Sequence, residues 1–229
     1  MQNTHLSKFP KVYENDDFLV INKPANISFH NQQDILGIHS LLKSELGYNI
    51  WPVHRLDKMT SGLLIFAKSQ IAAGELGKMF EKGEIAKTYI ALSDKKPKKK
   101  QGKIIGDMKK SRNGSWKLTH TRENPAKTQF YSYSLISGIR LFWITPTSGK
   151  THQIRVALKS IGSPILGDER YTGNNADRGY LHAYRLSLIW RQENIEICCL
   201  PQSGEYFILD EFEQLLKKLV SSHPVLQKE

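Results

Sequence analysis

His54, Arg55 and Asp57 stand within four positions of one another, and each side chain can do chemistry. A carboxylate can act as a nucleophile or a base, and a guanidinium can bind phosphate or stack on a ring. A turn signal at 60–62 and the apolar run 63–67 follow, which predicts a buried strand directly after this cluster. Because a loop fixed to a buried strand positions its side chains accurately, we interpret Asp57 as a catalytic carboxylate rather than a turn-capping residue.

A second candidate, Tyr89, lies in the predicted strand 85–92. The alternation of this strand places Tyr89 and Lys87 on one face and the more apolar set around Ile90 on the other. A tyrosine in the protein core is the usual alternative. Its position on the more polar face favours a tyrosine that faces a cleft.

The charge of the chain predicts a polyanionic partner. The net charge is +11, and the span 95–117 holds ten lysines and arginines but only one acid, which leaves +9 in that span. Such a basic stretch is typical of proteins that bind nucleic acid phosphates. The candidates for phosphate contact are Lys98, Lys99, Lys100 and Arg112. A solvated loop that aids solubility is the alternative, and the two interpretations are compatible.

Length and composition exclude several classes of protein. The 229 residues suffice for one large domain or two small ones, and 39% hydrophobic content is typical of a soluble globular protein. No apolar run approaches the roughly 20 residues that span a bilayer, and the N-terminus lacks the apolar core of a signal peptide, so we expect a cytoplasmic protein. Cys198 and Cys199 are adjacent, which predicts no disulfide framework and fits a reducing compartment.

Helices and strands alternate irregularly along the chain. Four helices are expected. Their N-caps are predicted at Asp34, Ser69, Thr151 and Asp210, and the first three helices are predicted to end at Gly47, Gly83 and Gly162. Ile35 begins the apolar stripe of the first helix. Strands are expected at 18–21, 63–67, 85–92, 130–135, 139–145 and 180–189, with a hairpin tip at Asn113 and Gly114. Sequential strands that outnumber the helices predict an α+β fold with a largely antiparallel sheet.

Several motifs of other enzyme classes are absent. Gly149 to Thr151 ends like a phosphate-binding loop, but Ile144 stands where that motif requires glycine. No nucleotide loop accompanies His54 to Asp57, which excludes a kinase, and no nucleophile elbow supports a serine hydrolase. No histidine is spaced as a metal ligand. We therefore interpret His54, His152 and His182 as hydrogen-bonded structural groups and expect no metal.

Linked blocks of sequence point to one family. They lie at 53–57, 61–64, 87–89, 149–156, 162–168 with Tyr171, and 181–183, with weaker support from 22–24 and His30. Their types and order resemble the RluA-type RNA pseudouridine synthases and cover most of the chain from Phe18 to about Leu188. The resemblance implies the pseudouridine synthase fold, a mostly antiparallel mixed sheet flanked by helices with a central RNA-binding cleft. We expect residues 1–229 to form one catalytic domain with a basic insert at about 95–117 and no separate N-terminal RNA-binding domain.

The resemblance implies an isomerase that converts uridine to pseudouridine within RNA, without a cofactor. The C1′–N1 bond breaks, the uracil turns, and C5 bonds to the same sugar carbon. Asp57 is then the catalytic carboxylate, paired with Arg155, which favours its ionised form. Tyr89 is expected to stack on the uracil and to handle the C5 proton.

The remaining site residues are expected to contact the substrate. The resemblance implies that Arg55 enters the space left by the flipped base and that Leu181 packs against the base. His54 belongs to the same group and is expected to support Asp57. Ribosomal RNA and transfer RNA both remain open as substrates, and a monomer is the default.

Two alternatives belong to other classes. One is a catalytically silent RNA-binding protein or RNA chaperone of the same fold, but binding alone does not require Asp57, Tyr89 and Arg155. The other is a basic DNA-binding protein, for which the chain lacks a groove-reading motif.

Overall fold

The protein is described in a computed structural model at residues 8–31 and 35–223. The strands are β1 (Lys11–Glu14), β2 (Phe18–Lys23), β3 (Trp51–Pro52), β4 (Ser61–Ala67), β5 (Ala86–Ser93), β6 (Gln101–Gly106), β7 (Met108–Lys110), β8 (Trp116–Leu118), β9 (Ala126–Ile136), β10 (Ile139–Pro146), β11 (Leu181–Trp190) and β12 (Glu193–Cys198). The helices are α1 (Ile38–Leu46), α2 (Gln70–Lys82), α3 (Gln153–Ser160) and α4 (Asp210–Ser222). Short 3₁₀ helices span Arg112–Gly114 and Glu169–Tyr171.

One large mixed sheet organises the fold. Within the two described ranges it contains ten strands in the order β1-β2-β4-β11-β5-β10-β9-β6, with β3 added to β4 and β12 to β11. The neighbours β4 and β11 run parallel, whereas the other pairs of this sheet are antiparallel. The predicted α+β class with a largely antiparallel sheet is therefore confirmed.

The predicted strand at 63–67 lies in the middle of the sheet and is buried on both faces. Alternate side chains pack into two separate clusters because successive residues of a strand point to opposite faces. Leu63 lies in the cluster that includes Leu76 of α2, and Leu64 lies in the cluster that includes Leu42 of α1. This double burial fixes the backbone at the point where the loop carrying Asp57 enters the sheet.

The strand register brings three parts of the chain together. Ala183 of β11 lies opposite Gly62 of β4 on one side and opposite Tyr89 of β5 on the other. The loop before β4, the start of β11 and the middle of β5 are therefore neighbours. Residues more than a hundred positions apart meet at this point.

The helix ends confirm some capping predictions and correct others. Helix α2 begins as predicted, because Oγ of Ser69 accepts the N–H of Ala72 at 3.1 Å, and it ends at Gly83 in the left-handed conformation. Helix α1 begins after Gly37, which makes the prediction of its start wrong. Ile35 precedes the helix and is 72% exposed, so it is not part of a buried stripe. The expected cap Asp34 lies outside the described residues.

The last two helices also begin differently from the prediction. Thr151 does not cap α3; the N-cap residue is His152, which adopts the left-handed conformation at φ 57°. Oε1 of Gln153 accepts the N–H of Lys150 at 3.0 Å and so satisfies a donor near the start of this helix. Asp210 is the first residue of α4 rather than its cap, which is Leu209. A carboxylate in the first turn still favours the helix electrostatically.

The basic span folds into two pieces of structure. Residues 98–100 form an exposed turn that leads into β6 at the edge of the large sheet. Strands β7 and β8 form a separate antiparallel hairpin. Its tip contains Asn113 and Gly114, both at positive φ, which confirms the predicted hairpin tip.

We expect Gly62→Ala to destabilise the protein. A Cβ at Gly62 would lie 2.3 Å from the carbonyl oxygen of Ala183, and both atoms belong to paired strands that cannot separate freely. Overpacking of this kind lowers the free energy of unfolding by about 2–3 kcal/mol, which urea denaturation measures. The control is Gly138→Ala, which shares a positive φ but has open space around its Cβ and should cost only about 1 kcal/mol. Equal losses in both variants would contradict the steric explanation.

Candidate active site

Asp57 lies in a turn whose flanking backbone is hydrogen-bonded to a buried lysine. The carbonyl oxygen of Asp57 accepts the N–H of Thr60 at 3.0 Å. The ammonium of Lys23, which is fully buried, donates to the carbonyl oxygens of Thr60 at 2.8 Å, Pro24 at 2.9 Å and Lys58 at 3.3 Å. These bonds fix the backbone on both sides of the turn. Sequence reasoning assigned Lys23 no role beyond its place in a weakly matching block.

The charge state of Lys23 depends on its burial and on the charged residues around it. Burial and the nearby charge of Arg178 lower the pKa of Lys23 to about 7, against the opposing effect of Asp57. The carboxylate therefore helps to keep the buried amine protonated. In return, the protonated amine donates the hydrogen bonds that hold the turn carrying Asp57.

The central feature of the site is one guanidinium shared by two carboxylates. Arg155 donates from Nη1 to Oδ2 of Asp57 at 3.0 Å. It donates from Nε and Nη2 to the two oxygens of Asp168 at 2.7 and 2.8 Å. Arg155 and Asp168 are buried. The predicted pairing of Asp57 with Arg155 is thus present in the structure.

Asp168 fixes the orientation that makes this sharing possible. A fork-shaped, two-point contact holds the plane of the guanidinium, which leaves Nη1 aimed at Asp57. Burial opposes the charge on Arg155, but the hydrogen bonds and charges of the two carboxylates more than offset this and raise its pKa. Sequence reasoning did not single out Asp168. Asp168 lies in the block 162–168 with Tyr171 that resembles the family, and this resemblance was the signal that could have identified it.

Asp57 faces a small cavity of about 130 Å³. The walls include Tyr89 from β5, Leu181 from the start of β11, and Lys87. Burial and, to a smaller extent, the charge of Asp57 raise the pKa of Tyr89, so its phenol stays protonated at neutral pH. The structure thus brings the predicted residues Asp57, Tyr89, Leu181 and Arg155 to one cavity.

A larger cavity of about 610 Å³ adjoins the small one. The two share lining from Arg55, Asp57, His152 and Arg155, so they form one continuous cleft. The side chain of Arg55 is exposed and lies where the two cavities meet. The larger cavity reaches Gly114 at the tip of the β7–β8 hairpin.

His54 lies behind the cleft rather than in its lining. Its Nε2 accepts the N–H of Ile65 at 3.0 Å, and its ring stacks on Phe80 at 4.4 Å between centroids. Burial, with the charge of Lys87, lowers the pKa of His54 to about 3, so the ring is neutral. Among the described residues that line the two cavities, His54 is not included. This geometry favours the expected support of Asp57 over the expected contact with substrate.

The other two histidines differ from each other. His182 is hydrogen-bonded at both ring nitrogens, to Oγ of Ser61 at 2.8 Å and to the carbonyl oxygen of Cys199 at 2.9 Å, as expected of a structural group. His152, which sequence reasoning also interpreted as structural, lines both cavities. Its Nε2 lies 3.9 Å from Oδ1 of Asp57.

The basic candidates lie in two places. Arg112 is exposed on the hairpin whose tip borders the larger cavity. Lys98, Lys99 and Lys100 are exposed in the turn before the edge strand β6, and none of them lines either cavity. The basic span therefore presents one cluster beside the cleft and another at the sheet edge.

Residues 8–31 and 35–223 contain neither a metal-binding cluster nor a membrane-spanning helix. No group of histidine, cysteine, aspartate or glutamate side chains in this part of the chain is arranged to hold a metal ion. No helix in the same ranges is long and apolar enough to cross a membrane.

Comparisons with known proteins agree on one family. Residues 17–160 match the RNA pseudouridylate synthase family. An uncharacterized RNA pseudouridine synthase of Haemophilus influenzae is 48% identical over 221 residues, which cover 95% of this chain and 98% of that protein. Ribosomal large subunit pseudouridine synthase C of Rickettsia bellii is 35% identical over 208 residues, which cover 86% of this chain and 69% of that protein.

A solved structure shares the fold. Human RNA Pseudouridylate Synthase Domain Containing 1 matches with a TM-score of 0.74 over 99% of this chain and 100% of that one, at 23% identity. The expected pseudouridine synthase fold is therefore confirmed.

We expect Asp168→Asn to destabilise the protein strongly. Asparagine keeps the volume of the side chain but is neutral, so the buried guanidinium of Arg155 loses the negative charge of its two-point partner. Breaking a buried ion pair from one side typically costs about 3–5 kcal/mol, which urea denaturation at pH 7 measures. The control is Glu213→Gln, which removes an exposed partner of Lys217 on α4 and should change stability by a few tenths of a kcal/mol. A loss in Asp168→Asn no larger than in the control would contradict the proposed arrangement.

Proposed function

The chain belongs to the RNA pseudouridylate synthase family, and we propose that its cleft isomerises uridine in RNA with Asp57 as the catalytic carboxylate. Members of the family are isomerases, so the chain is an RNA-modifying enzyme rather than a silent RNA-binding protein. The observation that carries the proposal is a single carboxylate, held by Arg155, at the wall of the small cavity. One carboxylate suffices because the sugar carbon is passed from N1 to C5 of the same base and no water must be activated.

The geometry leaves one oxygen of Asp57 open to the reaction. Arg155 binds Oδ2, whereas Oδ1 is 3.9 Å from the nearest ring nitrogen of His152, which is longer than a hydrogen bond. The fixed guanidinium stabilises the charge of the carboxylate before the substrate arrives. We propose that Oδ1 is the atom that acts on the flipped nucleotide.

We propose that Tyr89 is the platform on which the flipped uracil stacks. Its ring forms one wall of the small cavity, and Leu181 forms another. The raised pKa of Tyr89 means that its phenol enters the reaction protonated and donates a hydrogen bond readily. It can take up the C5 proton only if it passes on its own proton in the same step.

We propose that Arg55 occupies the position in the RNA that the base leaves. Extracting a stacked base costs a few kcal/mol, and a planar guanidinium can replace part of the lost stacking. The exposure of Arg55 at the junction of the two cavities supports this role.

We propose that ribosomal RNA is the substrate, because the Rickettsia bellii relative is named for the large ribosomal subunit. A transfer RNA substrate is the second possibility. RNA is the partner that the basic span favours. We propose a cytoplasmic monomer as the working form.

The proposed reaction is tested with unmodified transcripts of ribosomal RNA and transfer RNA. After incubation with the protein, new pseudouridines are mapped by carbodiimide-blocked reverse transcription. A discrete new site in ribosomal RNA is the expected result. New sites in transfer RNA alone would overturn the substrate, and no new site in either class would contradict the proposed function.

Asp57→Asn should bind these transcripts like the unsubstituted protein and form no pseudouridine. The amide keeps the shape of the side chain but cannot supply a carboxylate to the sugar or base. Binding is measured by filter retention and product by the mapping assay. Asp16→Asn, which changes an exposed carboxylate outside the cavity lining, is the control and should stay active. Product formation by Asp57→Asn would exclude the proposed mechanism.

The two basic clusters are compared by removing three charges from each. One variant changes Lys109, Lys110 and Arg112 on the hairpin to glutamine, and the other changes Lys98, Lys99 and Lys100. Each lost phosphate contact reduces the slope of log affinity against log salt by about 1. We expect the larger reduction for the hairpin variant, because the hairpin borders the cleft. An equal reduction in both variants would indicate that RNA is attracted by the overall positive charge of the basic span rather than by the hairpin. An unchanged slope would indicate that the substituted lysines and arginine contact only solvent.

A further inference from the structure

The 3₁₀ helix Glu169–Tyr171 and the residue before it connect the ion pair to the hairpin. Asp168 binds the guanidinium of Arg155. Arg170 donates to the carbonyl oxygen of Asn113 at the hairpin tip. Tyr171, which is 1% exposed, contacts both sides of this arrangement.

The hydroxyl of Tyr171 has two partners. It accepts the backbone N–H of Trp116 in β8 at 2.9 Å. It lies 2.8 Å from Nδ1 of His152. The ring of Tyr171 meets the ring of His152 edge to face at 5.6 Å and lies 5.0 Å from the centre of the Arg155 guanidinium.

The position of the hydroxyl hydrogen follows from these contacts. The amide of Trp116 is a donor, so the hydroxyl hydrogen must point away from it. Among the described residues, Nδ1 of His152 is the acceptor within hydrogen-bond distance. Because Tyr171 is buried, a hydroxyl hydrogen without an acceptor would be costly, which favours donation to Nδ1 and places the proton of a neutral His152 on Nε2.

The backbone and the surroundings of His152 support a functional orientation. Its φ of 57° is a left-handed conformation that few residues other than glycine adopt, and such strain is concentrated at functional sites. Burial, with the charges of Arg155 and Arg170 and against that of Asp57, lowers the pKa of His152, which keeps the ring neutral. The Nε2 atom lies 3.9 Å from Oδ1 of Asp57, at the wall of the cavity.

We propose that His152 is a positioning residue for the reaction, with its Nε2–H directed at the open oxygen of Asp57, and that Tyr171 sets this tautomer. The inference rests on the proposed role of Asp57. Arg155 holds Oδ2 by a hydrogen bond, whereas the Nε2–H of His152 faces Oδ1 at 3.9 Å as a polar contact that orients this oxygen and leaves it open to the substrate. Both constraints act before a substrate binds.

The test measures single-turnover tritium release from ribosomal RNA and transfer RNA transcripts labelled at C5 of uridine. Pseudouridine formation replaces the C5–H bond, so each turnover releases one labelled proton. His152→Asn tolerates the left-handed backbone but lacks the ring, and it should lower the rate by about tenfold, as expected when one polar contact to the carboxylate is lost. Transcript affinity should not change. A rate equal to that of the unsubstituted protein would overturn the proposal.

Tyr171→Phe keeps the ring beside Arg155 and removes only the hydroxyl. It should slow tritium release to a similar extent, because either tautomer of His152 is then available. The double variant should be no slower than His152→Asn alone, since both changes remove the same orientation. Rate losses that multiply in the double variant would show that Tyr171 does not act through His152 and would overturn its role.

The matched control is Tyr133→Phe. The hydroxyl of Tyr133 makes a comparable bond of 2.6 Å to Nε2 of His223, but neither residue lines the cleft. This variant should release tritium at the normal rate. An equal loss of rate in Tyr133→Phe would indicate a general structural effect and count against the proposal.

Asp57→Asn separates this proposal from the proposed function. Tritium release by Asp57→Asn would refute both. An inactive Asp57→Asn together with a fully active His152→Asn would refute only the role of His152. Thermal melting of each variant verifies folding, and His152→Asn alone still tests the proposal if Tyr171→Phe does not fold.

Discussion

The site depends on one buried guanidinium that must satisfy two carboxylates. Arg155 has five N–H donors in a fixed plane, and Asp168 uses two of its nitrogens. The third nitrogen, Nη1, donates to Asp57, and its direction determines where Asp57 can lie. A buried charge without partners would be very costly, so the three side chains constrain one another. The position of Asp57 is therefore a consequence of charge burial rather than of packing around Asp57 itself.

The sheet supplies the second half of this constraint. Parallel pairing of β4 with β11 and antiparallel pairing of β11 with β5 place Gly62, Ala183 and Tyr89 in one row. A slip of one residue would turn Tyr89 to the opposite face of the sheet and away from the cavity. The close approach of Gly62 to Ala183 resists such a slip, since a side chain larger than hydrogen does not fit there. The register and the ion pair thus fix the same cavity independently.

The sequence predicted those parts of the fold that depend on local patterns. Ser69 and Gly83 mark the ends of α2 correctly because a cap and a left-handed stop act within one turn of the helix. Thr151 was the wrong cap because the backbone turns through His152, and no propensity favours that conformation over a threonine cap. Motif resemblance identified Asp57, Tyr89 and Arg155, whose meeting in space depends on strand order. Asp168 and Lys23 received no role, and His152 was interpreted as structural, because their contacts join distant segments of the chain.

The link between the hairpin and the ion pair has a consequence for how RNA binding and chemistry relate. Asp168, Arg170 and Tyr171 follow one another closely, yet they bind Arg155, the hairpin tip and the hairpin backbone respectively. A short 3₁₀ helix has few internal hydrogen bonds, so its position is set mainly by these external contacts. A phosphate that draws the hairpin toward the cleft would therefore act on the residues that orient Asp57. If the hairpin binds RNA as proposed, it would affect both the affinity for RNA and the position of Asp57, because the hydroxyl of Tyr171 contacts both the hairpin and His152.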